Sequence, residues 1–314
     1  MSFRLAVFGD VHGRVALMIA LARRWQQETD QLLDGILQVG DMGAFPDPRR
    51  LDGATARHAR HDPDELGFCD LLSPTELGES LLADDETPPI AFCRGDHEDH
   101  EFLSQFRSPT ALDPWNKLWF IPDGQRMHWR GPGGSLVVGA FGGAPPRVAR
   151  HRGHGTRRRP AAPRWSLGPE FSDDEVDLAF PCNTPLDVLL THAGPAHPAL
   201  PHGSSALARL ARRLRPAVHV FGHHHQALGP IEGRDGLLVG LEHLDLLRDG
   251  SLRPGAWGVL HLAPGHARFE RIDPPEHAWL LDHSRVRDRA PPHPRARAGA
   301  QARAQPPGAR PGSL

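Results

Sequence analysis

Five short segments, far apart in the chain, each set a metal-binding residue type within two residues of a glycine. They are Gly9-Asp10-Val11-His12-Gly13, Gly40-Asp41-Met42-Gly43, Gly95-Asp96-His97-Glu98, Thr191-His192-Ala193-Gly194 and Gly222-His223-His224-His225. Together they offer the carboxylates Asp10, Asp41 and Asp96 and the imidazoles His12, His192, His223 and His225. Such donors suit borderline or hard divalent ions such as Mn, Fe, Zn or Ni. Two such ions about 3.5–4 Å apart can share a carboxylate and clamp the attacking and leaving oxygens of a displacement. Asp-x-His after a strand lets both side chains reach one ion. His223 and His225 alternate in the same way, which directs His224 elsewhere. The glycines let backbone approach the ions without a Cβ in the way. Singly, each segment also has a plain reading: a strand-to-turn junction, a satisfied core histidine, a basic turn. Their joint occurrence at strand ends carries the metal reading.

The elements around them read as an alternating α/β chain. Phe3 to Phe8 and Gly35 to Val39 are short apolar runs ending in Gly-Asp, which predicts buried strands. Val15 to Gln27 between them has helical spacing. In open α/β sheets the ligand crevice lies outside the carboxyl ends of the strands, where Asp10 and Asp41 fall. Pro89 to Cys93, Leu118 to Pro122, Ser135 to Phe141, Asp187 to Thr191 and Ala217 to Phe221 read as further strands, as do Leu237 to Leu241, Ala256 to Leu262 and Ala267 to Ile272. Helices are predicted over Glu98 to Phe106 and Ser204 to Leu214, the latter with serine at its start and arginine in its last turn.

These elements predict one domain over residues 1–283, with insertions at about 46–89 and 144–181. The first insertion is expected to hold one or two short helices. Residues 284–314 are rich in Arg, Pro, Ala and Gly without apolar spacing, and are expected to be a disordered basic tail. The arginines from Arg147 to Arg159 fit either a lid over substrate phosphates or a solvated excursion.

At 314 residues and a formal charge of -2, the chain can bury a sizeable core and has no global field for nucleic acid. Cys69, Cys93 and Cys182 are too few and too scattered for a disulfide framework. No leader pattern or membrane-length apolar run is present, so a cytoplasmic protein without a membrane partner is expected. No protein partner is evident.

In order and in placement, the five segments resemble the GDxHG, GDxx, GNHE/D, (S/T)HxG and GHxH series of the calcineurin-like metallophosphoesterase superfamily. The resemblance implies a four-layer α/β/β/α sandwich, with two mixed sheets flanked by helices. It implies one metal held by Asp10, His12 and His225, another by Asp96, His192 and His223, and Asp41 between them. His97 matches the family's catalytic histidine. The implied activity is hydrolysis of a phosphodiester or phosphomonoester by a dimetal-bound hydroxide. The stretch from Val138 to Gly143, with Leu190 to Pro195, locally resembles the lariat-debranching-like branch.

Two departures modify these expectations. Asp96 stands where the family has asparagine, making the site one charge more negative. Arg94, two residues before it, is a candidate to offset that charge and to bind substrate, and Arg147 is a second substrate-binding candidate. The second motif reads Gly40-Asp41-Met42-Gly43-Ala44-Phe45, without the acid that orients the catalytic histidine in protein Ser/Thr phosphatases. Alternatives to a phosphodiesterase are a phosphomonoesterase for nucleotides or other small phosphoesters, and a catalytically weak metal-binding scaffold of the same fold.

Overall fold

Apolar β-runs and helices alternate at the start of the chain as their spacing predicts, while strands follow one another directly over 110–141 and 218–271. A computed structural model describes residues 2–131, 134–146, 168–181, 186–284 and 286–289. The first half runs β1 (Phe3–Phe8), α1 (Val15–Thr29), β2 (Gly35–Gln38), α2 (Thr55–His58), a 3-10 segment (Pro63–Leu71), α3 (Glu76–Leu82), β3 (Ile90–Phe92), α4 (His100–Leu103), β4 (Thr110–Ala111), β5 (Leu118–Phe120), β6 (Arg126–Gly131) and β7 (Gly134–Phe141). The second runs α5 (Asp173–Leu178), β8 (Val188–Thr191), α6 (Ser205–Leu214), β9 (Val218–Phe221), β10 (Leu228–Gly233), β11 (Gly236–Gly240), β12 (Trp257–Ala263), β13 (His266–Arg271), α7 (His277–His283) and α8 (Val286–Arg289).

The strands form two mixed sheets. One has the order β13-β12-β1-β2-β3-β5-β4, the other β10-β11-β9-β8-β7-β6. β1, β2, β3 and β5 are parallel, as are β7, β8, β9 and β11. The strands delivering the five motifs therefore end on the same side of their sheets.

Strand residues alternate between two apolar layers. Leu5, Val7, Leu37 and Val39 of the first sheet face Val138, Val188, Val218 and Val220 of the second, and this layer joins the sheets. On the outer side of the first sheet, Phe8, Ile36 and Phe92 pack against Leu17, Met18 and Leu21 of α1. On the outer side of the second, Leu189 packs with Val176 of α5 and Leu207 and Leu210 of α6. The result is the predicted sandwich: helices, sheet, sheet, helices. No helix among the described residues is long and apolar enough to cross a membrane.

The helix expected over Glu98 to Phe106 shrinks to His100–Leu103. The Glu98 side chain turns inward and accepts from the N–H groups of Met42, Ala44 and Gly95. Asp99 then caps the helix by accepting from Phe102 N. β6 and β10 escaped the sequence pattern because both are edge strands with mostly exposed or half-buried residues. The first insertion holds α2, the 3-10 segment and α3. Residues 286–289, expected in the tail, form a helical turn, with Val286 N and Arg287 N donating to the Asp64 carboxylate at 3.1 and 2.9 Å. Residues 285 and 290–314 of the expected tail, Cys182 and the arginines from Arg147 to Arg159 lie outside the described residues. Cys69 and Cys93 are buried free thiols.

Candidate metal centre

Five parallel strands present the candidate donors at their carboxyl ends. Asp10 and His12 follow β1, Asp41 follows β2, and Asp96 and His97 follow β3. His192 follows β8, and His223 and His225 follow β9. Backbone conformation at these ends is unusual. His12, Asp41, His223 and His225 have φ of 43, 54, 65 and 47°. Left-handed conformations at non-glycine residues cost of order 1–3 kcal/mol each and persist only where the surroundings hold them.

The surroundings here are specific. The fully buried Gln38 donates to the carbonyl of Gly9 and accepts from Gly40 N, each at 3.0 Å, which ties the first two motif loops together. Glu98 does the same for the second and third. Two glycines give the donors room. A Cβ at Gly95 would lie 2.0 Å from both N and Oδ1 of Asp41, and one at Gly222 would lie 2.2 Å from Asp10 Oδ1.

The predicted groups come together. Asp10, His12 and His225 bring ligand atoms within 4.8 Å of one another, and so do Asp96, His192 and His223. Asp41 stands between them, its Oδ2 3.8 Å from His12 Nε2 and 3.5 Å from His192 Nε2. Asp96 Oδ1 is 2.8 Å from His192 Nε2 and 2.9 Å from His223 Nδ1. His192 Nδ1 is 3.0 Å from the carbonyl of Val39, so it carries the proton there and Nε2 is left to face the centre. Each trio draws donors from both sheets.

The donor set fits divalent cations on electrostatic grounds. Asp10 and Asp41 are 1% exposed, and no Arg or Lys lies within ion-pair distance of Asp10, Asp41 or Asp96 among the described residues. Burial alone would raise the Asp10 and Asp96 carboxyls, but the surrounding histidines hold both below the usual carboxylate range. Burial disfavours a charged His192, yet Asp41, Asp10 and Asp96 push it up to about 10. A buried cluster that must recruit protons onto histidine is one that divalent ions neutralise better.

His97 does not join either trio. Its Nε2 is 3.7 Å from Asp96 Oδ2, and its backbone N donates to Asp41 Oδ1 at 2.7 Å. Its Nδ1 lies 3.0 Å from Asp52 Oδ2. Asp52 went unrecognised in the sequence because it sits in a polar insertion with no motif. Its only local role is in the turn that leads into α2, where it also accepts from the N–H groups of Ala54 and Thr55. The hydrogen bond that His97 donates to the Asp52 carboxylate, chief among the influences, raises the imidazole to about 9. The first insertion thus brings an acid to His97 where the second motif supplies none.

His224 turns away, its Nε2 accepting from Gly194 N at 3.0 Å. By sequence His243 reads as a surface or supporting histidine, and Glu242 carries no signal. The His243 ring lies 4.1 Å from that of His225. Its nitrogens are 2.7 Å from Glu242 and 3.2 Å from Asp245. Arg94 is not open to a substrate as expected. It is 6% exposed, lies 2.7 Å from Asp123, and also donates to the carbonyl of Gly168. Its guanidinium braces the loops behind the centre. Arg147 lies outside the described residues. A cavity of about 170 Å3 over the centre is lined by His12, His97, His225, Thr55 and Arg14, among others.

A search among curated proteins finds no significant match. Among solved structures, a novel phosphatase from Mycoplasma pneumoniae is 8% identical with a TM-score of 0.46, covering 91% of this chain and 99% of its own. A conserved uncharacterised protein of Streptococcus pneumoniae, a predicted phosphoesterase, is 10% identical with a TM-score of 0.31, covering 87% and 99%. Zinc-complexed Vps29 from Entamoeba histolytica is 11% identical with a TM-score of 0.31, covering 86% and 99%. At these scores the likeness carries no inference about chemistry. The sequence model described as calcineurin-like phosphoesterase matches residues 3–227, a span that holds all five motifs and every donor described above. With that match over most of its length, the chain belongs to the calcineurin-like phosphoesterase family.

Proposed function

We propose that the protein is a metal-dependent phosphoesterase, with a phosphodiester as the favoured substrate. The observation that supports it most is the convergence of two three-donor groups on Asp41, with His97 outside both groups and on the wall of an open cavity. Two divalent ions held by Asp10, His12 and His225 and by Asp96, His192 and His223, with Asp41 shared, would supply Lewis-acid polarisation of phosphoryl oxygens and activation of water.

The chain's own residues do the rest. His97 is oriented through Nδ1 by Asp52, so Nε2 faces the reaction zone. From there it hydrogen-bonds a phosphoryl oxygen or hands a proton to the leaving oxygen. His243 packs against His225 and, held by Glu242 and Asp245, fixes that donor's ring.

The test is hydrolysis of bis-p-nitrophenyl phosphate and p-nitrophenyl phosphate by wild type and His97→Ala with added Mn. Turnover of the diester that drops about 100-fold or more in the variant supports the proposal. A preference for the monoester supports the phosphomonoesterase alternative. A second reading, a metal-holding scaffold with weak turnover, is favoured by one residue: Asp96 adds a negative charge that opposes polarisation of phosphate. Absence of turnover on both esters, with His97→Ala indistinguishable, would establish that reading instead.

A further inference from the structure

A second cleft, of about 920 Å3, adjoins the cavity over the centre, and the two share Arg14, His58, Glu65 and Asp245 as a common wall. Its sides come from α2, the chain through the 3-10 segment, the loop at 245–250 and the end of α7. Four acids reach this cleft, and all are engaged. Arg14 Nη2 lies 2.9 Å from Asp62, 3.1 Å from Glu65 and 3.4 Å from Asp245. Asp64 accepts from the N–H groups of Val286 and Arg287.

The rim arginines are in the opposite condition. Arg57, Arg60 and Arg248 are exposed and line the cleft, yet make no ion pair among the described residues. Beside them lie Leu247 and Leu281, at 36% and 53% exposure, two of the four large hydrophobic side chains left exposed among the described residues. A rim of unpaired guanidinium groups over an apolar patch suits a ligand with an anionic group and a flat apolar body. The smaller cavity, at about 170 Å3, has room for a phosphoryl group and little more.

We propose that this cleft holds the far side of an extended phosphodiester, a single-stranded oligonucleotide. One base would lie on Leu247 and Leu281, and phosphates beyond the scissile one would meet Arg57, Arg60 and Arg248. The proposal rests on the phosphoesterase reading and names its substrate class. The overall charge of -2 does not oppose it, because the arginines are local to the groove that leads to the centre.

The test uses the full chain loaded with Mn, as wild type and as the triple variant Arg57→Gln/Arg60→Gln/Arg248→Gln. The ratio of kcat/KM for d(T)4 to that for bis-p-nitrophenyl phosphate is expected to fall about tenfold or more in the variant, through KM. An unchanged ratio overturns the proposal. Binding of 5′-fluorescein d(T)4, followed by anisotropy against salt, tests the cleft without turnover. The slope of log K on log salt should be shallower by about two in the variant. Equal slopes and affinities overturn the proposal. If wild type cleaves neither substrate but binds d(T)4 with the arginine-dependent slope, the phosphoesterase reading fails while the cleft assignment stands.

Discussion

His97 Nδ1 lies 3.0 Å from Asp52 Oδ2, across a gap of 45 residues that includes the 3-10 segment, α3 and β3. The contact fixes which imidazole nitrogen faces the centre. Asp52→Asn keeps a side chain of the same shape but removes the charge. It is expected to lower kcat roughly 10- to 100-fold with metal content unchanged, and His97→Ala to lower it further. Metal analysis beside steady-state kinetics checks this. Equal rates for Asp52→Asn and wild type would show that the contact is only structural.

Asp96 presents Oδ1 to both His192 and His223, and Oδ2 toward His97. Asparagine can keep Oδ1 in place while dropping the charge. Asp96→Asn should weaken metal affinity about tenfold. It should also move the acid limb of the pH–rate profile to lower pH, since one fewer carboxylate opposes ionisation of water at the centre. Competition with a chelator and a pH–rate profile are the measurements, and unchanged curves in both would remove Asp96 as a determinant.

Gly95 bears on how closely the second and third motifs approach. A methyl group there would sit 2.0 Å from Asp41 N. Gly95→Ala is expected to displace the shared carboxylate and leave the purified protein with less than half the wild-type metal, measured by elemental analysis. Full loading would mean that the Asp41 loop can yield.

His219 provides a stability signature away from the donors. It is 3% exposed, and its Nε2 lies 2.8 Å from Thr191 Oγ1, whose own proton goes to the carbonyl of Ala193 at 2.7 Å. Burial depresses it to about 3. A group depressed in the folded state contributes stability above its unfolded value, near 6.5, that is lost as pH falls toward the folded one. Lowering the pH from 7 to 5 should therefore cost about 2 kcal/mol through this residue. Urea midpoints at both pH values should fall further in wild type than in His219→Leu. A variant with the same pH dependence would show that His219 is solvated.

Much of the centre was legible because the donors sit in short glycine-bearing segments at the ends of apolar runs. Hydrophobic spacing placed β1, β2, β3, β8 and β9, and strand ends placed Asp10, Asp41, Asp96, His192 and His223. What escaped detection depends on contacts between distant segments. Asp52 is an ordinary turn residue by sequence, and only folding brings it to His97. Glu242 lies after β11, where nothing marks it, and His243 beside it reads only as a surface or supporting histidine until His225 is packed alongside. Arg94 misled for a related reason: its proximity to Asp96 in sequence says nothing of Asp123, which claims its guanidinium. The shortening of α4 has the same origin, since Glu98 is a good helix former that instead serves the Asp41 loop.

Each trio takes its carboxylate from one sheet and at least one imidazole from the other. Asp10 and His12 leave β1 while His225 leaves β9, and Asp96 leaves β3 while His192 and His223 leave β8 and β9. Neither sheet owns a complete coordination set. Ions seated there would act as rivets across the sandwich, so a chelator would loosen the joint between the sheets as well as strip the centre. Sliding of one sheet over the other by a fraction of an ångström would change both coordination sets at once, which makes the apolar layer between the sheets part of the tuning of the metals.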